Sequence, residues 1–551
     1  MEAKLAPSST PVTSDYTAAP ATPVGKPDVY LPMKDSPKNA DLKRTGSAVS
    51  LRASRRSTSR VRLSRLESML PDETAAMLMP TRALYITAAV ALLGCLQVGW
   101  CLMQLNYRPF NLDCQKDPIP EHACTMFPGH SENEWTLAIS AWILGAAIGA
   151  MCSGAPADKF GRKRSLFLNA LIIIVGGAVQ AAATEVYLFS VGRFISGLAS
   201  GAAINVANAL ITEISPTHMR GTLGTGIQIF IASGALLVTT CHYFVGFSYG
   251  WRFLMGFPIV MAVGQIFLLP FTAKSPVWLV AQGMSEEAAR EIERLYVQPV
   301  DTKAILNAMV EAHEEEVKEQ AEINAWQALL SKKYRKQLII SVVLCSAQQL
   351  CGITAIMYYS STIFFDAGIT DPRVGNTIVN IVRTGGILVA ARIMDKVKRR
   401  TLLVTGLSAM AVAALGVVFS LLYASPAVSL ISTTIFVGGF SLSIGPMAWM
   451  LTAEIFPDFL HAKAGGVGTM TTWIADLLVG LFYPSIADAG ALGNYAFLLF
   501  VGLLVAYATF TYIMLPETSH KTSDEIQLLF NPLPVTSPKA TVELDPYASI
   551  D

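Results

Sequence analysis

The chain has little charge for its length. Charged residues make up only 15% of its 551 residues, whereas hydrophobic residues make up 52% and the mean hydropathy is +0.45. A soluble domain usually carries about 25% charged residues, so this chain has too little charge to cover its own surface in water. The composition therefore predicts a protein that crosses a membrane several times.

Other absences exclude whole classes of function. Basic and acidic residues nearly balance, at 41 and 40, which argues against a nucleic-acid partner. The eight cysteines include no CxxC pair, so neither a zinc site nor a disulfide framework is expected. The chain also lacks a GxxxxGKS/T loop for nucleotide phosphates and an HExxH metal motif. We therefore expect no enzyme activity, no cofactor and no bound metal.

Apolar stretches long enough to cross about 30 Å of hydrocarbon recur along the chain. They are predicted at 83–105, 135–157, 166–184, 187–209, 223–246, 253–272, 338–364, 375–394, 401–424, 429–452, 465–487 and 492–515. The fold class is thus an all-α polytopic membrane protein with twelve transmembrane helices in two six-helix halves.

The chain divides into five segments. They are a disordered basic tail at 1–80, a first half at 81–272, a helical linker at 273–336, a second half at 337–515 and a C-terminal tail at 516–551. The first tail has little apolar surface to bury. Its cluster RASRRSTSRVRLSR at 52–65 precedes the first span, where it is expected to meet anionic membrane lipid.

Lys and Arg concentrate on one side of the predicted spans. They cluster in DKFGRKR at 158–164, PTHMRG at 216–221, the linker and DKVKRR at 395–400. The positive-inside rule therefore predicts that both termini and the linker are cytoplasmic. The 106–134 loop then lies outside, where Cys114 and Cys124 either form a disulfide or remain free. The sequence leaves both possibilities open.

Two unlike motifs recur at nearly one spacing. DKFGRKR begins at Asp158 and DKVKRRT at Asp395, while TEISP surrounds Glu213 and AEIFP surrounds Glu454. The halves are therefore predicted to be related units in parallel orientation. Transporters are built in this way, with the substrate near the bilayer midplane between the halves.

Several motifs in order resemble the sugar porter branch of the major facilitator superfamily, over about 83–526. They are LQVGW (96–100), GAPADKFGRKR (154–164), GRFISG (192–197), TEISPTHMRG (212–221), QQLCGITAIMYYS (348–360), GPMAWMLTAEIFP (445–457) and PETSHKT (516–522). The set is most similar to eukaryotic facilitative hexose transporters. The resemblance implies hexose transport, mainly of glucose, in the plasma membrane, and a monomer suffices for it. A proton-coupled symporter and a nontransporting sugar sensor are the alternatives.

A sugar site needs amides, hydroxyls and aromatic faces, because sugar hydroxyls both donate and accept hydrogen bonds. The expected substrate-binding residues, most of them implied by the resemblance, are Gln228, Ile231, Gln348, Gln349, Thr354, Asn380, Trp449, Trp473 and Asp476. The competing interpretation is interhelical hydrogen bonding for the polar residues and core packing for the aromatic ones.

The resemblance also implies moving parts. The expected gate residues are Tyr358, Tyr359, Gly445 and Pro446, where the tyrosines close the outside and the Gly-Pro pair lets its helix bend. The expected salt-bridge switch, which holds the outward-open state on the cytoplasmic side, comprises Asp158, Arg162, Lys163, Glu213, Arg220, Asp395, Arg399, Arg400 and Glu454.

The sequence departs from the family pattern at several places. Cys101 stands where proton-driven relatives carry Asp in the first span, which favours a uniporter because a buried thiol is a poor proton carrier. Asp476 and Arg383 are charges inside predicted spans, and such charges face the protein interior or an aqueous cavity. Asp476 has three open roles: an ion pair with Arg383, a sugar contact, or a proton carrier. Thr354, Lys274 and His461 also replace the usual residues.

Overall fold

The structure is a computed structural model that describes residues 78–530, apart from 121–122, 245–249, 298–300, 323–324, 395, 489, 520 and 522. Most of the tail predicted at 1–80 and the end of the C-terminal tail lie outside the described residues. The first half contains α1 Arg82–Met103, α2 Glu132–Cys152, α3 Gly154–Phe160, α4 Arg162–Ala182, α5 Val186–Ile214, α6 Thr217–Cys241 and α7 Gly250–Leu268.

The predicted linker is helical. It contains α8 Pro276–Ala281, α9 Ser285–Leu295, α10 Thr302–Glu322 and α11 Ala325–Leu329. The second half contains α12 Arg335–Leu350, α13 Ile353–Asp366, α14 Pro372–Ile393, α15 Arg399–Leu422, α16 Pro426–Leu442, α17 Ile444–Ile455, α18 Asp458–Ala487 and α19 Phe497–Met514, and α20 Ser523–Phe530 follows them.

Twelve segments of the described chain are long and apolar enough to cross a membrane, which confirms the predicted number. Their ends differ from the predicted ones by a few residues. The first span runs from Arg82 to Met103, for example, and the fourth continues to Ile214. An apolar run gives the position of a span but not the residue at which its helix begins or ends.

Two of the spans are broken helices. The seventh is interrupted between Leu350 and Ile353 by Gly352, whose φ is +103°. This left-handed conformation suits glycine, and a Cβ there would lie 2.8 Å from the ring of Phe500. The tenth span breaks at Ser443 (φ −123°, ψ −100°), between α16 and α17. Broken helices expose backbone groups, which are tolerated at membrane depth where they line a cavity.

Close packing joins helices within the first half. A Cβ on Gly145 of α2 would lie 2.2 Å from the carbonyl oxygen of Phe194, and one on Gly201 of α5 would lie 1.9 Å from that of Ala146. Only glycine lets these backbones approach so closely. The two halves meet through different pairs, α2 with α18 and α6 with α14. A cavity lies between the halves.

The two ends of the helix bundle carry different structures. The loop end is the end at which the 104–131 connection lies, and there Cys114 and Cys124 form a disulfide with their Cα atoms 4.9 Å apart. The structure thus decides between the two alternatives for these cysteines. The linker end is the end at which the 273–334 stretch lies. Backbone hydrogen bonds of 2.9 Å from Thr81 to Leu295 and from Val297 to Met79 hold the linker to the start of α1.

Candidate functional site: a central cavity between the halves

A cavity lies at the centre of the bundle, and the open space between its walls is about 740 Å³. Both halves contribute to the walls. The lining residues are Val98, Leu102, Trp142, Ile204, Gln228, Ile231, Gln348, Gln349, Ile353, Thr354, Met357, Tyr358, Arg383, Phe440, Gly445, Trp449, Thr472, Trp473 and Asp476.

The structure brings together all but one of the residues expected to contact sugar. The exception is Asn380, which is fully buried and is not among the residues that line the cavity. Its side-chain amide donates to the carbonyl oxygen of Asn376, one turn earlier in α14, at 2.9 Å. Arg383 lines the cavity from the same helix. A sugar contact of Asn380 therefore stays a prediction.

A hydrogen-bond network ties the seventh span to the eleventh. Thr354 Oγ1 lies 2.8 Å from Oδ1 of Asp476 and 2.9 Å from Oε1 of Gln349. The hydroxyl of Tyr358 donates to Oδ2 of Asp476 at 3.4 Å. Each carboxylate oxygen can accept more than one hydrogen bond, so Asp476 keeps capacity for a further donor in the cavity.

The structure does not show the ion pair between Arg383 and Asp476 that the sequence left open. No salt bridge joins the two among the described residues. The carboxylate of Asp476 is occupied by hydroxyl groups, whereas Nη1 of Arg383 contacts the sulfur of Met357 at 3.3 Å. Both side chains are buried and both line the cavity. They therefore present two separate charged groups to whatever the cavity contains.

Three tryptophans line the cavity, Trp142 from the first half and Trp449 and Trp473 from the second. The indole N–H of Trp449 donates to the hydroxyl of Thr472 at 3.3 Å, which fixes the ring on α17. Trp473 of α18 packs edge-on against Trp142 of α2, with ring centroids 6.3 Å apart. This contact crosses between the halves. Aromatic faces of this kind suit the apolar C–H surface of a sugar ring.

Of the predicted gate residues, Gly445 and Pro446 lie at the break in the tenth span, whereas Tyr358 and Tyr359 lie within α13, after the break in the seventh span. Gln348, next to the break in the seventh span, donates through its amide to the carbonyl oxygen of Gly445. In the tenth span α16 ends at Leu442 and α17 begins at Ile444, so Pro446 lies in the first turn of α17, where its missing N–H leaves no bond unmade. Tyr359, beside Tyr358 on α13, donates to the carbonyl oxygen of Gly480 at 3.0 Å.

Hydrogen bonds close the loop end between the two halves. The side-chain amide of Asn106, just after α1, donates to the carbonyl oxygen of Met357 and to the hydroxyl of Ser360, each at 2.8 Å. Its side-chain oxygen accepts from the backbone N–H of Ser361 at 3.0 Å. Asn376 donates to the backbone oxygen of Asn106 at 3.1 Å. The sequence analysis missed Asn106, although a polar residue directly after the first span was a signal.

A second contact between the halves lies beside this network. Arg373 of α14 stacks its guanidinium over the ring of Tyr243, 5.1 Å from the ring centroid. Asp371 caps the start of α14, and its hydrogen bonds from Arg373 hold the pKa of this carboxyl below its usual value. The ion pair thereby fixes the orientation of the arginine that reaches the other half.

At the linker end the predicted switch residues of the first half pair with one another. Nη2 of Arg162 lies 2.7 Å from Oε1 of Glu213, and Nη1 lies 3.1 Å from Oδ1 of Asp158. Lys163 donates to the carbonyl oxygen of Thr272 at 2.8 Å. The side chain of Arg220 lies outside the described residues.

The second half repeats this arrangement. Nη2 of Arg399 lies 3.3 Å from Oε1 of Glu454. Glu517 accepts from the backbone N–H groups of Arg399, at 2.8 Å, and Arg400, at 3.2 Å, a role that the sequence analysis did not assign. Asp395 lies outside the described residues. Among the described members of the set, each ion pair therefore joins residues of one half.

Lys274, which replaces the residue usual in the family, has an acidic partner in the structure. Its ammonium group forms an ion pair with Glu287 of α9. This hydrogen bond lowers the pKa of the Glu287 carboxyl. The pair is partly exposed, so it contributes little to stability, but it joins the start of the linker to α9.

Arg193 is fully buried beside the first span without an acidic partner among the described residues. Its Nη1 donates to the carbonyl oxygen of Cys101 at 2.8 Å and its Nε donates to that of Ala138 at 3.3 Å. The guanidinium also lies 5.4 Å from the ring centroid of Trp142. Carbonyl dipoles and an aromatic face thus take the place of a carboxylate.

Twelve spans in two halves around a central cavity define the class of protein, the transporters of the major facilitator fold. The chain is similar to the partially occluded inward-open structure of the xylose transporter XylE from E. coli, with a TM-score of 0.67 and 23% identity over 80% of this chain and all of that one. The proton:xylose symporter XylE bound to 6-bromo-6-deoxy-D-glucose gives a TM-score of 0.67 and 24% identity, over 82% of this chain and all of that one.

The family itself follows from sequence comparison. The family model described as "Sugar (and other) transporter" matches residues 86–530, so this chain belongs to the sugar transporter family. It is 31% identical to the human solute carrier family 2, facilitated glucose transporter member 4, over 82% of this chain and 92% of that one. It is 32% identical to the glucose transporter GlcP of Staphylococcus epidermidis, over 71% and 87%. The protein is therefore an integral multi-pass membrane protein of a transporter family, not an enzyme, as the sequence predicted.

Proposed function

We propose that this protein carries hexose, with glucose as the main substrate, across the plasma membrane by alternating access. The observation that carries the proposal is the central cavity, because amides, hydroxyls and three indole rings from both halves meet there. Relatives named as glucose transporters support the choice of sugar. In the proposed orientation the linker end and both termini are cytoplasmic, in agreement with the positive-inside rule.

The affinity that such a transporter needs is modest. A millimolar dissociation constant corresponds to about 4 kcal/mol, and a few hydrogen bonds of about 1 kcal/mol each, together with ring contacts, supply it. Gln228, Gln348 and Trp449 are the proposed direct contacts. Replacing each by Ala should lower hexose uptake while surface expression stays normal. Uptake with unchanged apparent affinity and rate in all three variants would remove this assignment.

Alternating access requires each end to open in turn. We assign the closed loop end, held by Asn106, to the state in which the cavity faces the cytoplasm. In the opposite state the charges at the linker end exchange their partners within a half for partners across the halves. Exposed pairs contribute only about 0–1 kcal/mol each, but several together bias a two-state equilibrium.

The proposed transport mode is uniport. Cys101 and Arg193 support it, since this buried arginine is held by carbonyl groups and an aromatic ring. Asp476 in the cavity favours the other transport mode, a proton-coupled symporter. Uptake of radiolabelled hexose in a transporter-null cell, with a panel of competing sugars and with a protonophore, separates the two. A nontransporting sensor would bind hexose without any uptake.

A further inference from the structure

Arg383 is a charged group in the cavity that no step of the proposed transport cycle uses. It lies on α14, lines the cavity, and is only 7% exposed. Its Nε is buried and has no hydrogen-bond partner among the described residues. The contact that the structure gives its Nη1 is the thioether sulfur of Met357, which is a weak acceptor. The Nε–H group of Arg383 can therefore donate a hydrogen bond to a molecule in the cavity, and Nη1 can exchange its weak acceptor for a stronger one.

Burying a guanidinium without a partner is costly, because its charge loses water and gains nothing in return. The carboxylate of Asp476 does not offset the cost, since no salt bridge joins it to Arg383 among the described residues and its contacts are with the hydroxyl groups of Thr354 and Tyr358. At a cavity wall the cost of desolvating the guanidinium is offset when a bound molecule accepts the hydrogen bonds that the protein leaves unmade.

We propose that Arg383 is a specificity-determining residue that donates hydrogen bonds to one oxygen of the bound neutral sugar. The proposal rests on the proposed hexose transport. A guanidinium has only donors and an ionised carboxylate has only acceptors. The sugar oxygen at Arg383 must therefore act as an acceptor, whereas a sugar hydroxyl that meets Asp476 in its ionised form acts as a donor. Arg383 therefore selects for a hydrogen-bond acceptor at one position of the sugar, and Asp476 selects for a donor at another.

This difference predicts a pattern among sugar analogues. A deoxy sugar loses both the donor and the acceptor at one position, whereas a deoxyfluoro sugar keeps a weak acceptor. At the position that Arg383 contacts, the fluoro analogue should bind better than the deoxy analogue. At the position that Asp476 contacts, both analogues should bind equally poorly. An uncharged amide at either site would blur this distinction, because an amide carries both donors and acceptors.

The test measures inhibition constants for complete panels of monodeoxy and deoxyfluoro glucose against labelled glucose uptake. The wild type is compared with Arg383→Met and with Arg392→Met, which changes an exposed arginine on the same helix. In the wild type, one deoxy analogue should bind about tenfold or more weakly than its fluoro counterpart, since a hydrogen bond from a charged group is among the stronger ones. Arg383→Met should abolish that difference at that position alone, and Arg392→Met should keep it.

Several results would overturn the proposal. One is an analogue pattern in Arg383→Met that equals that of the wild type at every position. Another is a hexuronate that inhibits the wild type more strongly than glucose, since Arg383 would then bind a carboxylate. If Arg383→Met does not reach the membrane, Arg383→Lys keeps the charge and replaces the planar donors. That variant should weaken discrimination at the same single position, and an unchanged pattern would contradict the proposal. A wild type without any hexose uptake removes the proposed function and this inference together.

Discussion

We predict that the hydrogen bonds of the Asn106 side chain are the main polar contacts that keep the two halves together at the loop end. Its side chain makes three hydrogen bonds to the seventh span, to the carbonyl oxygen of Met357, the hydroxyl of Ser360 and the backbone N–H of Ser361. All three cross from the first half to the second, so they exist only while the loop end is closed. The change Asn106→Ala removes them and leaves the backbone of α1 intact.

The expected size of the effect follows from these three bonds. A buried hydrogen bond contributes about 1 kcal/mol net, so the variant should lose about 3 kcal/mol of the free energy that favours the closed loop end. A factor of ten corresponds to about 1.4 kcal/mol. The ratio of open to closed molecules at the loop end should therefore rise by about a hundredfold.

The assay is a distance measurement between two spin labels. Phe244 and Val374 lie on opposite halves at the loop end, and both side chains are exposed, at 74% and 46%. Labels are attached to cysteines at these positions, after serine has replaced Cys152 and Cys241. Asn106→Ala should move population from a short to a longer distance.

Asn494→Ala is the control for this measurement. Asn494 also lies at the loop end, but its side chain donates to the carbonyl oxygen of Leu421 within the second half. The control should leave the distance distribution as in the wild type. An unchanged distance distribution in Asn106→Ala, with the protein folded, would refute the prediction that Asn106 holds the loop end closed.

Two further substitutions test the cavity and the broken helix. Asp476→Asn should change sugar preference while surface expression stays normal, and a loss of expression that a second change at Arg383 rescues would contradict the separate roles given to these residues. Gly352→Ala should lower the thermal midpoint in detergent, because its φ of +103° costs other residues about 1–2 kcal/mol and Phe500 crowds the new methyl group. Gly385→Ala, where a Cβ meets nothing within 4 Å, should leave the midpoint unchanged or raise it, and equal midpoints for both variants would refute the argument.

The spans were predictable because the bilayer imposes a length and a hydrophobic composition on each. The cavity was predictable in part, since polar and aromatic residues inside apolar helices must face the protein interior. Gln228, Gln348 and Trp449 therefore line it as expected. The placement of Asn380 was not predictable, because helical spacing gives the face of a helix but not the residue that reaches the cavity.

Contacts between distant segments were the least predictable part. Nothing in the local pattern around Asn106 indicates that it meets Ser361, because that contact depends on how the two halves pack. That Arg383 and Asp476 do not pair was equally unpredictable, because it too depends on how distant segments pack. Spacing along α14 and α18 places both charges near the cavity, but the hydroxyls of the seventh span decide which groups the carboxylate meets.

The measurement that tests the central claim most directly is glucose flux through the purified protein in sealed proteoliposomes. Labelled glucose should enter until its concentrations inside and outside are equal, and it should enter faster when unlabelled glucose is already inside, because the returning cavity then carries sugar. Trp449→Ala should slow both processes, and an imposed proton gradient should not drive accumulation. Absence of flux by a folded, sugar-binding protein, or accumulation driven by the proton gradient, would contradict the account of a facilitative hexose transporter.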